Sequence, residues 1–102
     1  MSLRLTETAE DDLSEIWTYL ASEASEPVAT RFVKSIEKAF ATLQHAPAIG
    51  TPRERFAPGL RVIFQSPYAI YYLPSEQDIL IVRVLHGARD VAAVADLGGF
   101  EG

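Results

Sequence analysis

Ile79-Leu80-Ile81-Val82-Arg83-Val84-Leu85-His86-Gly87-Ala88-Arg89-Asp90 decides how the chain is read. Ile79 to Leu85 is the longest apolar, β-branched-rich run in the sequence and is broken only by Arg83. A run this short, without a polar stripe and ending at a glycine, predicts a strand buried on both faces and so central in its sheet. A guanidinium inside such a strand has to meet a carboxylate, an anion or water. Past Leu85 the chain places an imidazole (His86) and a second guanidinium (Arg89) where the strand runs out. That end of the strand is the predicted working surface.

Working back from the strand, the period remains two as far as Gly59. Leu60, Val62 and Phe64 alternate with Arg61, Ile63 and Gln65, and Tyr68 to Leu73 follows Ser66-Pro67. A turn through Pro74–Asp78 then leads into Ile79, which makes a three-strand antiparallel meander. Upstream, Pro47 to Pro58 is the longest irregular segment, and its prolines predict an ordered loop. On the other side, Asp90 is placed to cap a short helix, Val91 to Leu97, ended by Gly98.

The first half has helical spacing. Leu3 to Thr6 reads as a strand, and Thr6 or Thr8 caps a helix whose apolar stripe is Ala9, Leu13, Ile16, Trp17, Leu20 and Ala24. Glu7, Glu10, Asp11 and Asp12 crowd its first turn, where negative charge suits the helix dipole; they read as a solvated turn, not a metal site. Ser25-Glu26-Pro27 breaks this helix and opens a second, with Val28, Phe32, Val33, Ile36, Ala39, Phe40 and Leu43 on its buried face. His45 sits at that helix's C-terminus, and the short connection predicts an antiparallel helical hairpin.

The expected fold class is therefore α+β. A strand and a two-helix hairpin pack on one face of an antiparallel sheet, in the order β-α-α-β-β-β, followed by a short C-terminal helix. Residues 1–102 read as one domain, and Met1 to Leu3 and Glu101-Gly102 are assigned no functional weight. The second sheet face is expected to stay partly open, bordered by the 47–58 loop and the C-terminal segment, as the face for a partner.

Composition narrows the function classes. The hydrophobic fraction is 48%, with 10% aromatic residues, enough for a real core, and there is no cysteine. Disulfides and thiolate zinc sites are thereby excluded, in keeping with a cytoplasmic protein. No segment reaches the roughly 18 apolar residues of a membrane span. The net charge of −5 argues against gripping nucleic acid through its phosphates. Residues 51–90 nevertheless carry five bases against four acids, and all five are arginine: Arg53, Arg55, Arg61, Arg83 and Arg89. A modest basic face on an acidic body suits a protein or anionic-peptide partner.

Catalytic patterns are missing: there is no Gly-x-Ser-x-Gly, no phosphate loop, no histidine pair at metal spacing. No cofactor or metal is expected. His86, Glu54 and the arginines have the types of group that cleave RNA by acid–base chemistry. The alternative is that Arg83 pairs with a carboxylate on a neighbouring element and His86 closes the strand by hydrogen bonding.

Five motifs lie in order along the chain: Ala9-x-x-Asp12-Leu13-x-x-Ile16-x-x-Tyr19-Leu20, Pro47-x-x-Gly50-x-x-Arg53, Pro58-Gly59-Leu60-Arg61, Tyr68-x-Ile70-x-Tyr72 and Ile81-x-Arg83-Val84-Leu85-His86-Gly87-Ala88-Arg89-Asp90. With them the chain resembles the ParE toxins of type II toxin–antitoxin modules, within the RelE/ParE superfamily linked to plasmid stabilisation. The resemblance implies inhibition of DNA gyrase by binding, without catalysis. It also implies neutralisation by a cognate ParD-like antitoxin in a hetero-oligomer. RelE-like relatives instead cleave messenger RNA on the ribosome, which would make Arg61, Arg83 and His86 catalytic. On the binding reading, Arg53, Arg55, Arg61, Arg83, His86 and Arg89 contact the partner or target. Neither direct nucleic-acid binding nor a membrane is expected. A third reading is an inert relative that only assembles with its antitoxin.

Overall fold

The computed structural model describes residues 1–100; Glu101 and Gly102 lie outside the described residues. The elements run β1 (Ser2–Leu5), α1 (Glu7–Glu23), α2 (Glu26–His45), β2 (Thr51–Pro52), β3 (Arg61–Gln65), β4 (Tyr68–Pro74), β5 (Asp78–His86) and α3 (Val91–Asp96). Both long helices begin where the sequence supplies a hydroxyl. Thr6 Oγ1 accepts from Ala9 N–H at 3.0 Å, and Ser25 Oγ accepts from Val28 N–H at 3.2 Å. Each satisfies an N–H that the first helical turn leaves without a partner. Thr6 Oγ1 also donates to the Val82 carbonyl at 2.8 Å, so the cap of α1 is tied to β5.

The strands form one five-stranded sheet in the order β1-β5-β4-β3-β2. It is mixed where a purely antiparallel sheet was expected: β1 runs parallel to β5, with Ser2 opposite Asp78 and Leu5 opposite Ile81. The meander leaves one edge of β5 open. β1 fills it in the direction that lets the chain turn at Thr6 and lay α1 back over the sheet. The central strand is β4, with β5 beside it, so apolarity on both faces located β5 in the interior but not at the middle. β2 was read as loop; its two residues pair with Val62 and Arg61 at the sheet's far edge, where a proline costs no ladder bond.

β5 contains an irregularity that a strict period of two conceals. Tyr72 is opposite Ile81 and Tyr71 is opposite Arg83, which leaves Val82 as an inserted residue. Such a bulge switches the faces of the residues that follow it. Accordingly Ile79, Ile81 and Val84 join the core under the helices, while Val82 and Leu85 join a second core on the opposite face.

The first core packs Ile16, Ile36, Phe40 and Leu43 of the hairpin against Ile70, Tyr72, Ile79 and Ile81. The second holds Leu60, Val62, Ala69, Tyr71, Val82 and Leu85 beneath Ala57, Val94 and Phe100. The face expected to stay partly open is therefore closed. The loop before β3 and the segment after α3 both turn apolar side chains inward, because β3–β5 present apolar residues on both sides.

Burial pushes the phenols of Tyr68, Tyr71 and Tyr72 above their ordinary value of 10.0. A raised folded-state pKa gives stability that is complete below the unfolded value and is lost as pH rises through the folded one. Unfolding free energy should thus be flat toward alkaline pH and fall above about 10. Chemical denaturation at stepped pH, followed together with tyrosinate absorbance, measures this. Full ionisation of all four tyrosines with stability unchanged would refute it.

Candidate functional site

Arg83 and Asp12 organise the region around the end of β5. Arg83 Nε donates to Asp12 Oδ2 at 2.8 Å and Nη2 donates to Oδ1 at 3.0 Å, a bidentate pair. The two side chains are only 11% and 8% exposed. Asp12 Oδ2 accepts a third bond, from Val84 N–H at 2.9 Å. β1 stops opposite Ile81, so Val84 has no strand on that side. The Asp12 carboxylate takes the place of the missing strand. The carboxylate hydrogen bond and charge hold the Arg83 guanidinium above its ordinary pKa, against the opposing effect of burial. Asp12, placed by its sequence neighbours in a solvated first turn, is instead a buried residue.

Beyond Val84 the outer edge of β5 borders two adjoining cavities. One, about 390 Å³, is walled by Tyr19, Leu20, Phe32, Pro67, Tyr68 and His86. The other, about 170 Å³, lies among Asp12, Glu15, Tyr19, Tyr68, His86 and Arg89. Tyr19, Tyr68 and His86 belong to both, so the pair forms one groove between the helical hairpin and the end of the sheet. Its walls are aromatic: Phe32 and Tyr68 have ring centroids 5.6 Å apart, and Tyr68 meets His86 edge-on at 5.4 Å. Tyr19 stands at the mouth, 59% exposed. His86 Nδ1 accepts from Ala88 N–H at 3.0 Å, which fixes the ring and shapes the turn toward Arg89.

The predicted arginines separate into three environments. Arg83 and Arg89 share the Asp12 region with His86. Arg61 is on β3, where Nη1 donates to the carbonyls of Gly50 at 2.6 Å and Ala48 at 3.1 Å. It holds the chain's own loop. Arg53 and Arg55 are close enough to Tyr71 to draw its pKa back down, and the Arg55 guanidinium stacks over Phe56 at 4.8 Å. These two belong to the second sheet face. Among the described residues the ion pairs are Arg83–Asp12 and Arg4–Asp78. No group of three or more metal-ligating side chains occurs among them, and no helix is long and apolar enough to cross a membrane. Tyr19, Phe32 and Tyr68 were not singled out as site residues. The signal in the sequence was Tyr19, an aromatic residue outside the apolar stripe of its helix, which stands with Tyr68 in the motifs quoted above.

The structure thus joins a strand, a helical hairpin and a meander, with an apolar groove at the hairpin's edge and a helix-to-strand ion pair. The profile of the ParE toxin of type II toxin–antitoxin systems (parDE) matches residues 3–91. The chain belongs to the ParE toxin family. Toxin ParE3 of Caulobacter vibrioides is 28% identical over 88 residues, 86% of this chain and 88% of that protein. Toxin ParE1 of the same organism is 26% identical over 90 residues, 88% and 93% of the two chains. A solved chain of the chromosomal ParDE system from P. aeruginosa superposes with a TM-score of 0.73 at 26% identity, covering 84% of this chain and 95% of that one. The RelBE2 toxin–antitoxin complex of Mycobacterium tuberculosis has a chain of the same fold, with a TM-score of 0.59 at 24% identity, covering 83% and 95%.

Proposed function

We propose that this toxin arrests its target by binding alone, that the target is cytoplasmic DNA gyrase, and that a ParD-like antitoxin neutralises it as a hetero-oligomer. One observation carries the reading: the groups that RNA cleavage would recruit are already engaged within the fold. Arg83 is bound to Asp12, Arg61 to two carbonyls, and His86 Nδ1 to a backbone N–H. Stabilising a phosphorane-like transition state needs cations free to meet the charge as it develops. Here two of those cations hold structure. The aromatic groove and the adjacent free edge of β5 suit the tail of an antitoxin, which would supply apolar side chains to one and backbone hydrogen bonds to the other. Arg89 and the surfaces carrying Arg53 and Arg55 are left for contacts to acidic groups.

The test is supercoiling by purified gyrase with increasing amounts of this protein. Inhibition that an antitoxin tail reverses is the expected result; unimpaired supercoiling together with site-specific cuts in ribosome-bound messages would overturn it. At the groove, Tyr19→Glu should weaken antitoxin binding by about tenfold or more while leaving the fold intact, because a charge at the exposed mouth of an apolar slot is desolvated only on binding. Isothermal titration against the antitoxin measures it, and unchanged affinity would place the tail elsewhere.

A further inference from the structure

The two helices of the hairpin expose opposite charge. α1 has six acids, Glu7, Glu10, Asp11, Asp12, Glu15 and Glu23, and no base; α2 has Arg31, Lys34 and Lys38 against Glu26 and Glu37. Apart from Asp12 all of these are exposed, and among the described residues none of the exposed ones takes part in an ion pair. The chain's only tryptophan lies on the seam between the helices. Trp17 is half-buried, belongs to neither apolar core, and donates its indole Nε1–H to Thr30 Oγ1 at 3.1 Å. That bond also sets the relative level of the two antiparallel helices. The turn holding Glu10 and Asp11, seven and six residues before Trp17, stands level with the turn holding Lys34 and Lys38, four and eight residues after Thr30.

We infer that the outer face of the hairpin, the side away from the sheet, docks a second copy of this chain about a two-fold axis that runs along the seam. Such an axis lays α1 of each copy on α2 of the other, acid on base, in two equivalent contacts. The alternative in-plane axis, at right angles to the helices, stacks α1 on α1 and α2 on α2, which like charge disfavours. An axis along the seam preserves level. Glu10 and Asp11 of one copy therefore meet Lys34 and Lys38 of the second, and the two Trp17 rings come together at the centre. Glu37 stands among the lysines and weakens the match, while Arg31 keeps the surplus basic. An aromatic centre within a charged rim is the composition of a protein–protein interface. Beside Thr30, a hollow of about 540 Å³ bounded by Pro27, Thr30, Arg31 and Lys34 is open to side chains of the facing helix. The groove lined by Tyr68 and His86 opens at the hairpin's edge and takes no part. With 17 residues α1 is about 25 Å long, and two packed helices span about 20 Å, so the face offers about 500 Å² per copy. That area is at the low end for protein pairs, and each copy carries a net charge of −5, so the dimer is a weak one.

The experiment follows the full chain and two charge-reversed variants, Lys34→Glu with Lys38→Glu and Glu10→Lys with Asp11→Lys, by sedimentation equilibrium at about 0.15 M ionic strength. The wild type should pass from monomer toward dimer between about 10 and 500 μM. Emission from Trp17 should shift to the blue over the same range, as the two indoles leave water. This arm needs no variant and so does not depend on how the substitutions fold. Each reversed chain turns both of its helices to one sign and should stay monomeric throughout. Their equimolar mixture should dimerise at least as tightly as the wild type, because both contacts again set acid on base. A wild type that is still monomeric at about 500 μM would overturn the inference. So would a dimer that forms without moving the Trp17 emission, reversed chains that dimerise alone, or folded reversed chains that stay apart when mixed.

Discussion

Asp12→Ala is expected to lower the unfolding free energy by about 3–5 kcal/mol, a large part of the 5–15 kcal/mol that holds a typical domain. The reason is specific to this carboxylate. It neutralises a largely buried guanidinium through two bonds and also accepts from the Val84 N–H, which lacks a strand partner. Alanine leaves an uncompensated charge and an orphaned donor together. Arg83→Ala should cost somewhat less, because the carboxylate keeps the Val84 bond. The double variant Asp12→Leu with Arg83→Met should regain most of the loss, since an apolar pair avoids desolvating two ions. Urea denaturation of the four proteins forms a double-mutant cycle. An Asp12→Ala effect below about 1 kcal/mol would mean that the pair behaves as an exposed one.

The second large effect is at the junction of the 47–50 loop with the sheet. Tyr72, fully buried, donates its hydroxyl to the Pro47 carbonyl at 2.8 Å and accepts from Gly50 N–H at 2.9 Å. Gly50 is present because nothing larger fits: a Cβ would meet the Tyr72 hydroxyl at 2.5 Å and the Val62 carbonyl at 2.9 Å. Gly50→Ala should therefore cost about 1–3 kcal/mol through overpacking, and Tyr72→Phe a similar amount through a buried N–H left unpaired. Combined, the two should cost less than their sum, because each disrupts the same hydrogen bond. Thermal or urea unfolding measures all three, and a strictly additive pair would show that loop and tyrosine are not coupled.

How far the sequence could be read follows from what kind of signal each feature leaves. The helices were legible because Thr6, Ser25 and Pro27 mark their starts and the apolar stripes have helical spacing. β3, β4 and β5 were legible from alternation and from the turn residues between them. The partner of Arg83 was foreseen only as a type of group, a carboxylate on a neighbouring element. Asp12 looked like its solvated neighbours Glu10 and Asp11, and only the packing of α1 against β5 distinguishes it. The bulge at Val82 leaves no mark in a run where every neighbour is apolar. The closure of the second face was missed for a related reason: α3 is made of small residues, and its anchor is Phe100, beyond the glycines that appeared to end the fold. Within the candidate site, the sequence placed His86 and Arg89 together at the end of the strand, and only the fold brings them beside α1. It could not separate Arg61, spent on its own loop, from Arg53 and Arg55 on the second face. Arginine type carries no information about which carbonyl or carboxylate is within reach.

Those assignments bear on function through one contrast. A binding toxin needs a fixed shape, and the engaged Arg61, Arg83 and His86 help to fix it; a nuclease needs comparable groups unengaged and convergent on a scissile bond. The measurement that separates the two most directly is pulse labelling of DNA and protein synthesis after induced expression in cells lacking the antitoxin. Thymidine incorporation that falls first, while amino-acid incorporation continues and transcripts stay full length, is the expected result. Translation that stops first, with messages cut at ribosome-bound sites and DNA synthesis still running, would contradict it.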